Sequence, residues 1–135
     1  MLTDVHTHSA FSADGETPLS GMLARAQEHG IAEHFDYDYL ADGILAEGKA
    51  VPMIDAPAYF SEARRLQESY AGRMHVLAGG EFGYTSNPSA HRMYQEAIAR
   101  FSPDFVVNSV HSVNGKDAWF GEYFAGKTRE EAYRT

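Results

Sequence analysis

Asp104-Phe105-Val106-Val107-Asn108-Ser109-Val110-His111 is the clearest buried strand in the chain, a short run rich in β-branched residues that finishes in a histidine. Working back from it, Pro88 opens a helix that ends near Phe101, and His75-Val76-Leu77-Ala78-Gly79-Gly80-Glu81-Phe82 reads as a second strand, with a glycine kink before Glu81. A helix precedes that strand, from about Pro57 to Ala71, with Tyr59, Ala63, Leu66 and Tyr70 on one face and Gly72 at its end. Leu2 to His8 reads as a short buried strand. Thr17-Pro18 supplies an N-cap and a first-turn proline, and Leu19, Met22, Leu23 and Ala26 follow at helical spacing before Gly30, so a helix is expected over 18–29. Glu33-His34-Phe35-Asp36-Tyr37-Asp38-Tyr39, acidic and aromatic, reads as a loop. The order is β-α-(loop)-α-β-α-β, which predicts an α/β fold with parallel strands.

At 135 residues the chain has the length of one domain. No apolar run is long enough to span a membrane, and no basic-then-apolar leader is visible at the N-terminus. Cysteine is absent, which removes disulfides and thiolate ligands and fits a cytoplasmic location. Any metal site must be built from His, Asp and Glu. The net charge of −8 argues against a nucleic-acid backbone as partner. An anionic substrate would need divalent cations to set the local charge. Thr128-Arg129-Glu130-Glu131 matches a capping box, so a helix starts there with only four residues after Glu131; a chain that stops so soon reads as cut from a longer one.

The candidate chemistry lies at strand ends. His6 and His8, two residues apart on a strand, share a face and can hold one ion. Glu81 and His111 end two later strands, and in α/β barrels the C-terminal strand ends carry the chemistry. Asp14 follows the first strand and His34 the first helix. These are six N/O donors that no local spacing groups together. Glu81 after two glycines is also compatible with a turn cap, and Asp14-Gly15 with a plain turn. His29, His75 and His91 have no motif partner and read as ordinary surface or core residues, and Trp119, Phe120, Tyr123 and Phe124 as packing.

Asp4-Val5-His6-Thr7-His8-Ser9, Glu33-His34-Phe35-Asp36, Gly80-Glu81-Phe82-Gly83-Tyr84 and Asn108-Ser109-Val110-His111-Ser112 occur in the order seen in the PHP (polymerase and histidinol phosphatase) family, which this chain resembles over essentially its whole length. The tail Gly121-Glu122-Tyr123-Phe124-Ala125-Gly126-Lys127-Thr128, with Glu131-Ala132-Tyr133, resembles the histidinol-phosphatase branch.

The resemblance implies a distorted (β/α)7 barrel, with residues 1–135 the N-terminal portion of a single PHP domain. It further implies three divalent ions (zinc, manganese or iron) that hydrolyse a phosphate ester. His6 and His8 would bind the first ion, Glu81 would bridge the first and second, His111 would bind the second, and Asp14 and His34 the third. The nucleophile would be metal-bound hydroxide, with no protein side chain in that role. The implied reaction is L-histidinol phosphate to L-histidinol plus phosphate, in histidine biosynthesis.

The expected partner is a small phosphate ester, with no nucleic acid and no membrane; a homo-oligomer is compatible with the chain. Two departures accompany the resemblance. The family takes further ligands from a later histidine and a late Asp-x-His, which lie beyond residue 135. It also places a whole strand before the Glu-His pair, where Gly30-Ile31-Ala32-Glu33-His34 leaves two residues. The competing readings are a PHP phosphoesterase for another phosphate ester, and a non-catalytic module or half of an assembly.

Overall fold

The computed structural model describes residues 2–12, 14–40, 54–84, 87–113, 116–117 and 123–134; for Val5, residues 33–40, Ser112, Lys116 and Asp117 it describes the backbone alone. The elements run β1 (Leu2–Thr7), α1 (Leu19–Glu28), β2 (Ile31–Leu40), α2 (Ala56–Tyr70), β3 (His75–Gly83), α3 (Pro88–Phe101), β4 (Phe105–Ser109), β5 (Ser112–Val113), β6 (Lys116–Asp117) and α4 (Arg129–Tyr133). Strands β1 to β4 form one sheet in the order β1-β2-β3-β4, and each neighbouring pair is parallel. All four therefore end at the same edge of the sheet. β5 and β6 make a small separate antiparallel pair. Among the described residues no helix is long and apolar enough to cross a membrane.

The α/β class with parallel strands is as expected from the sequence, and four details differ. The Glu33–Tyr39 stretch is not a loop but part of β2, paired with β1 on one side and β3 on the other. Its aromatic residues alternate with polar ones, which is the strand period, and a central position supplies ladder partners on both edges. A strand is therefore present at this place, but it contains the Glu-His pair near its start instead of preceding it. Helix α1 begins one residue late. Pro18 has an extended ψ of 138°, makes no side-chain cap and is itself the N-cap residue. Its carbonyl accepts from Gly21 and Met22. Gly79-Gly80 makes no kink, since the β2–β3 register is continuous from Glu33↔His75 to Leu40↔Phe82. What position 79 requires is close approach: a Cβ there would lie 2.5 Å from the Phe105 ring of β4. Finally, β4 is not fully buried. It alternates half-buried and exposed residues, because the face carrying Val106 is open to solvent.

The core lies on one side of the sheet. Leu19, Leu23 and Ala26 of α1 and Tyr59, Phe60, Ala63, Leu66 and Tyr70 of α2 pack in one cluster with Val76, Ala78 and Phe82 of β3. Strand alternation then turns Leu77, Gly79 and Glu81 to the opposite face. Two tethers fix α2 and β4 against β3. The buried Tyr59 hydroxyl donates to the Gly79 carbonyl at 3.0 Å. Arg64 of α2 donates to both Asp104 carboxylate oxygens at 2.8 Å, while the Ala78 amide donates to Oδ2 at 2.8 Å. Two of the turns expected from sequence are present: Gly30 and Gly72 have φ of 72° and 79°, the left-handed values that end α1 and α2 without strain. The Thr128–Glu131 capping box is also formed at the start of α4.

Candidate metal centre

Parallel register carries the functional side chains to one end of the sheet. His6 lies near the end of β1, and His8 just past it. Glu81 is near the end of β3, opposite Val107 of β4, and His111 follows β4 by two residues. β1 and β3 are separated by β2, a gap of roughly 10 Å. Imidazole and glutamate side chains reaching over one face can close that gap, and here they do. His6 Nε2 is 3.1 Å from His8 Nε2, His8 Nε2 is 3.0 Å from Glu81 Oε2, and His6 Nε2 is 3.5 Å from the same oxygen. On the other side of the carboxylate, His111 Nε2 is 3.3 Å from Glu81 Oε1. Glu81 thus faces the histidine pair with one oxygen and His111 with the other. Its side chain is only 4% exposed, against 49% for His6 and 34% for His111, so the centre is a buried carboxylate ringed by partly solvated imidazoles.

Burial by itself would push the Glu81 carboxyl up. A hydrogen bond from the Ser109 hydroxyl and the favourable fields of His111, His8 and His6 outweigh that, and the group is held below the ordinary glutamate range. It is therefore a carboxylate at neutral pH, as a metal ligand must be.

Do these residues fit a cation? In tetrahedral coordination, metal–nitrogen distances of about 2.0–2.1 Å set ligand atoms roughly 3.3 Å apart. The three edges of the His6–His8–Glu81 triangle, 3.1, 3.0 and 3.5 Å, bracket that value. Glu81 Oε2 is also buried with no hydrogen-bond donor aligned on it, although His8 Nε2 stands 3.0 Å away. Two ring nitrogens and a carboxylate oxygen converging without aligned protons is the arrangement a divalent ion completes. The donor set of imidazole and carboxylate suits zinc, manganese or iron.

The remaining candidates fall as follows. Asp14 comes to the same place, with both carboxylate oxygens 3.0 Å from His8 Nδ1. His34 does not sit at the strand end. Its backbone pairs with Asp4 and Val76, five positions before Tyr39, the partner of Glu81, and its side chain lies outside the described residues. His29, His75 and His91 are exposed, respectively at the end of α1, at the start of β3 and in the first turn of α3. Tyr123 is buried and Phe124 is exposed at 38%, while Trp119 and Phe120 lie outside the described residues. Sequence reasoning missed Ser109, the hydroxyl partner of Glu81. The signal was available, because a strand read through to His111 puts Ser109, two residues earlier, on the same face.

Parallel strands with such a cluster at their C-terminal ends make a candidate metal centre. The model of the PHP domain matches residues 4–135, so the chain belongs to the PHP domain family. Among particular relatives, the histidinol-phosphatase of Lactococcus lactis is 29% identical over 97% of this chain and 47% of its own length. A Schizosaccharomyces pombe protein described as a probable histidinol-phosphatase is 27% identical over 81% of this chain and 38% of its own. The L. lactis histidinol phosphate phosphatase has a crystal structure in complex with zinc, L-histidinol and phosphate. It superposes with a TM-score of 0.82 at 28% identity, over 97% of this chain and 48% of that one. A Listeria monocytogenes structure, at 22% identity and a TM-score of 0.65 over 82% of this chain, shares the fold. The chain spans about half the length of the curated relatives it matches.

Proposed function

We propose that the chain is the N-terminal portion of a PHP domain whose whole hydrolyses L-histidinol phosphate to L-histidinol and phosphate, with metal ions as cofactors. The observation that carries the reading is the convergence of His6, His8, Glu81 and His111 at the sheet's C-terminal edge, in a chain similar over nearly all its length to a phosphatase crystallised with zinc, histidinol and phosphate. His6 and His8 would hold one ion and His111 a second, with Glu81 shared between them. On the strength of the family pattern, Asp14 and His34 would hold a third ion.

Divalent ions, when bound, supply activation of water and neutralisation of charge on the phosphoryl oxygens. The chain's own residues supply the frame. Glu81, held ionised by Ser109 and the imidazoles, would present one carboxylate oxygen on the side of His6 and His8 and the other on the side of His111. The half-exposed rings of His6 and His111 leave one side of the cluster open to an incoming ester. The partial barrel would be closed by further strands pairing with the outer edges of β1 and β4.

The test is phosphate release from L-histidinol phosphate by the full-length protein that carries this chain, after chelation and reloading with zinc, manganese or iron. His6→Ala and Glu81→Ala are each expected to reduce the rate at least a hundredfold, and a generic aryl phosphate to be the poorer substrate. Near-wild-type turnover in either variant would overturn the site assignment. Equal turnover of both esters would overturn the substrate assignment and leave a less selective phosphoesterase.

A further inference from the structure

We propose that Gly15 is a positioning residue for the metal centre. The absence of a side chain at position 15 lets the loop between β1 and α1 close onto the end of β1 and sets the Asp14 carboxylate beside His8. The inference rests on the reading of Asp14 as a ligand of the third ion and adds what delivers that ligand.

Asp14 is not held by packing. Its side chain is 65% exposed, yet both carboxylate oxygens lie 3.0 Å from His8 Nδ1. The constraint is on its neighbour. A Cβ on Gly15 would fall 1.9 Å from the Ser9 carbonyl oxygen, 2.5 Å from the Ser9 carbonyl carbon and 3.0 Å from the His8 carbonyl oxygen. These are backbone atoms, which cannot swing aside as the end of a flexible side chain can. Among the described residues the glycines with positive φ are Gly30, Gly72 and Gly126, and Gly15 is not one of them. Position 15 therefore requires space alone, and a larger residue is excluded by contact rather than by its dihedrals.

The side of the contact that must yield is the limb carrying Asp14. Ser9 is fully buried. Its carbonyl accepts from the Ser12 amide at 2.9 Å, and its Oγ accepts from the Phe11 amide at 3.3 Å. The Phe11 ring meets the Tyr59 ring edge-on at 5.7 Å, and the Tyr59 hydroxyl is tied to the Gly79 carbonyl, two residues before Glu81. The other limb is held more lightly, by the Gly15 amide on the Ser12 carbonyl at 3.2 Å and by the Ala10 amide on the Thr17 carbonyl at 2.8 Å. Restoring ordinary contact at position 15 would move that limb by roughly 1.5 Å. A metal–oxygen bond of about 2.0–2.2 Å does not survive such a shift. Asp14 is then lost to its ion, while His6, His8 and Glu81 keep their places.

The test counts zinc bound per chain by atomic absorption, in the full-length protein that carries this chain, after stripping and reloading. Thermal melting of the metal-free protein is the second readout. Asp14→Ala is expected to lose one ion per chain. Gly15→Ala should lose one ion as well, with a cooperative melt retained, and the double variant should lose no more than either single one. Gly21→Ala, where a Cβ would meet only Thr17 Cγ2 at 3.6 Å, should keep the full number.

A full complement of ions in Gly15→Ala, while Asp14→Ala lacks one, would overturn the proposal and leave Asp14 a ligand. Loss of more ions in Gly15→Ala or in the double variant than in Asp14→Ala would overturn it too. So would a Gly15→Ala protein that no longer folds without metal, because the glycine would then serve the fold and not the ligand. Should Asp14→Ala keep every ion, or wild type bind none, the ligand reading itself falls and the Gly15 assignment falls with it.

Discussion

Asp104 is the residue on which the pairing of β3 with β4 turns. Burial would raise its carboxyl, but hydrogen bonds from Arg64, the Ala78 amide and Gln67, with the Arg64 charge, hold it below the ordinary aspartate range. A folded-state value below the unfolded one, about 3.9, stabilises the fold above that pH, and the stabilisation is lost as pH falls through the folded value. Asp104→Asn should therefore cost roughly 1–3 kcal/mol at neutral pH, and the gap between variant and wild type should narrow by pH 3. Urea melts at pH 7 and pH 3 measure this; a gap that does not change with pH would mean that the charge is irrelevant. None of this is readable in the sequence, because the partners of Asp104 lie up to 40 residues away. The contrast with the metal cluster is instructive. His6 and His8 are legible because a two-residue spacing puts them on one strand face. Glu81 and His111 are legible only as strand-end residues, since their meeting with His6 and His8 depends on strand order. The contact of Asp14 with His8 depends on how Gly15 lets the loop close, which no spacing encodes.

At the scale of elements, helices α2 and α3 were readable from sequence almost to the residue, because each begins at a proline turn and carries an apolar or capped pattern of its own. β2 was not, because local composition points the wrong way. Asp36 and Asp38 are poor strand formers, and pairing to β3, with β1 on the other edge as far as Asp36, overrides that. The glycine pair of β3 misleads for a similar reason. Its role is set by a neighbour in space, the Phe105 ring seated over Gly79. Gly79→Ala should force that ring aside and destabilise the protein by about 1–3 kcal/mol, the usual cost of overpacking. Phe105→Val should relieve part of the loss, so that the double variant is less destabilised than the two single effects added together. Thermal melts of the four proteins in this cycle decide it. Strict additivity would mean that Gly79 is not held small by Phe105.

For the molecule as a whole, the sheet is unequally protected. β3 lies inside the sheet under α2, with every residue from Ala78 to Gly83 buried. β4 has a paired inner edge, while on its helix-side face Val106 is 47% exposed and Val110, just beyond the strand, 61% exposed. Local opening should follow that gradient, because strands with few buried contacts open at lower free energy than the core. Backbone amides of Val76 to Phe82 are expected to exchange with deuterium slowest, and those of Val106 and Asn108 at least tenfold faster. Metal binding ties this gradient to the site. His111 hangs from the end of β4 and reaches Glu81 of β3, so an opened β4 withdraws His111 while His6, His8 and Glu81 stay together. An ion held by both Glu81 and His111 binds only the closed form, and mass action must then slow β4 exchange as zinc is added. The expected result in the residue 1–135 chain is slower exchange at β4 than without zinc, abolished by His111→Ala but not by His91→Ala. If zinc slowed exchange to the same extent in the His111→Ala protein, the ion would be anchored without β4, and His111 would have no part in holding it.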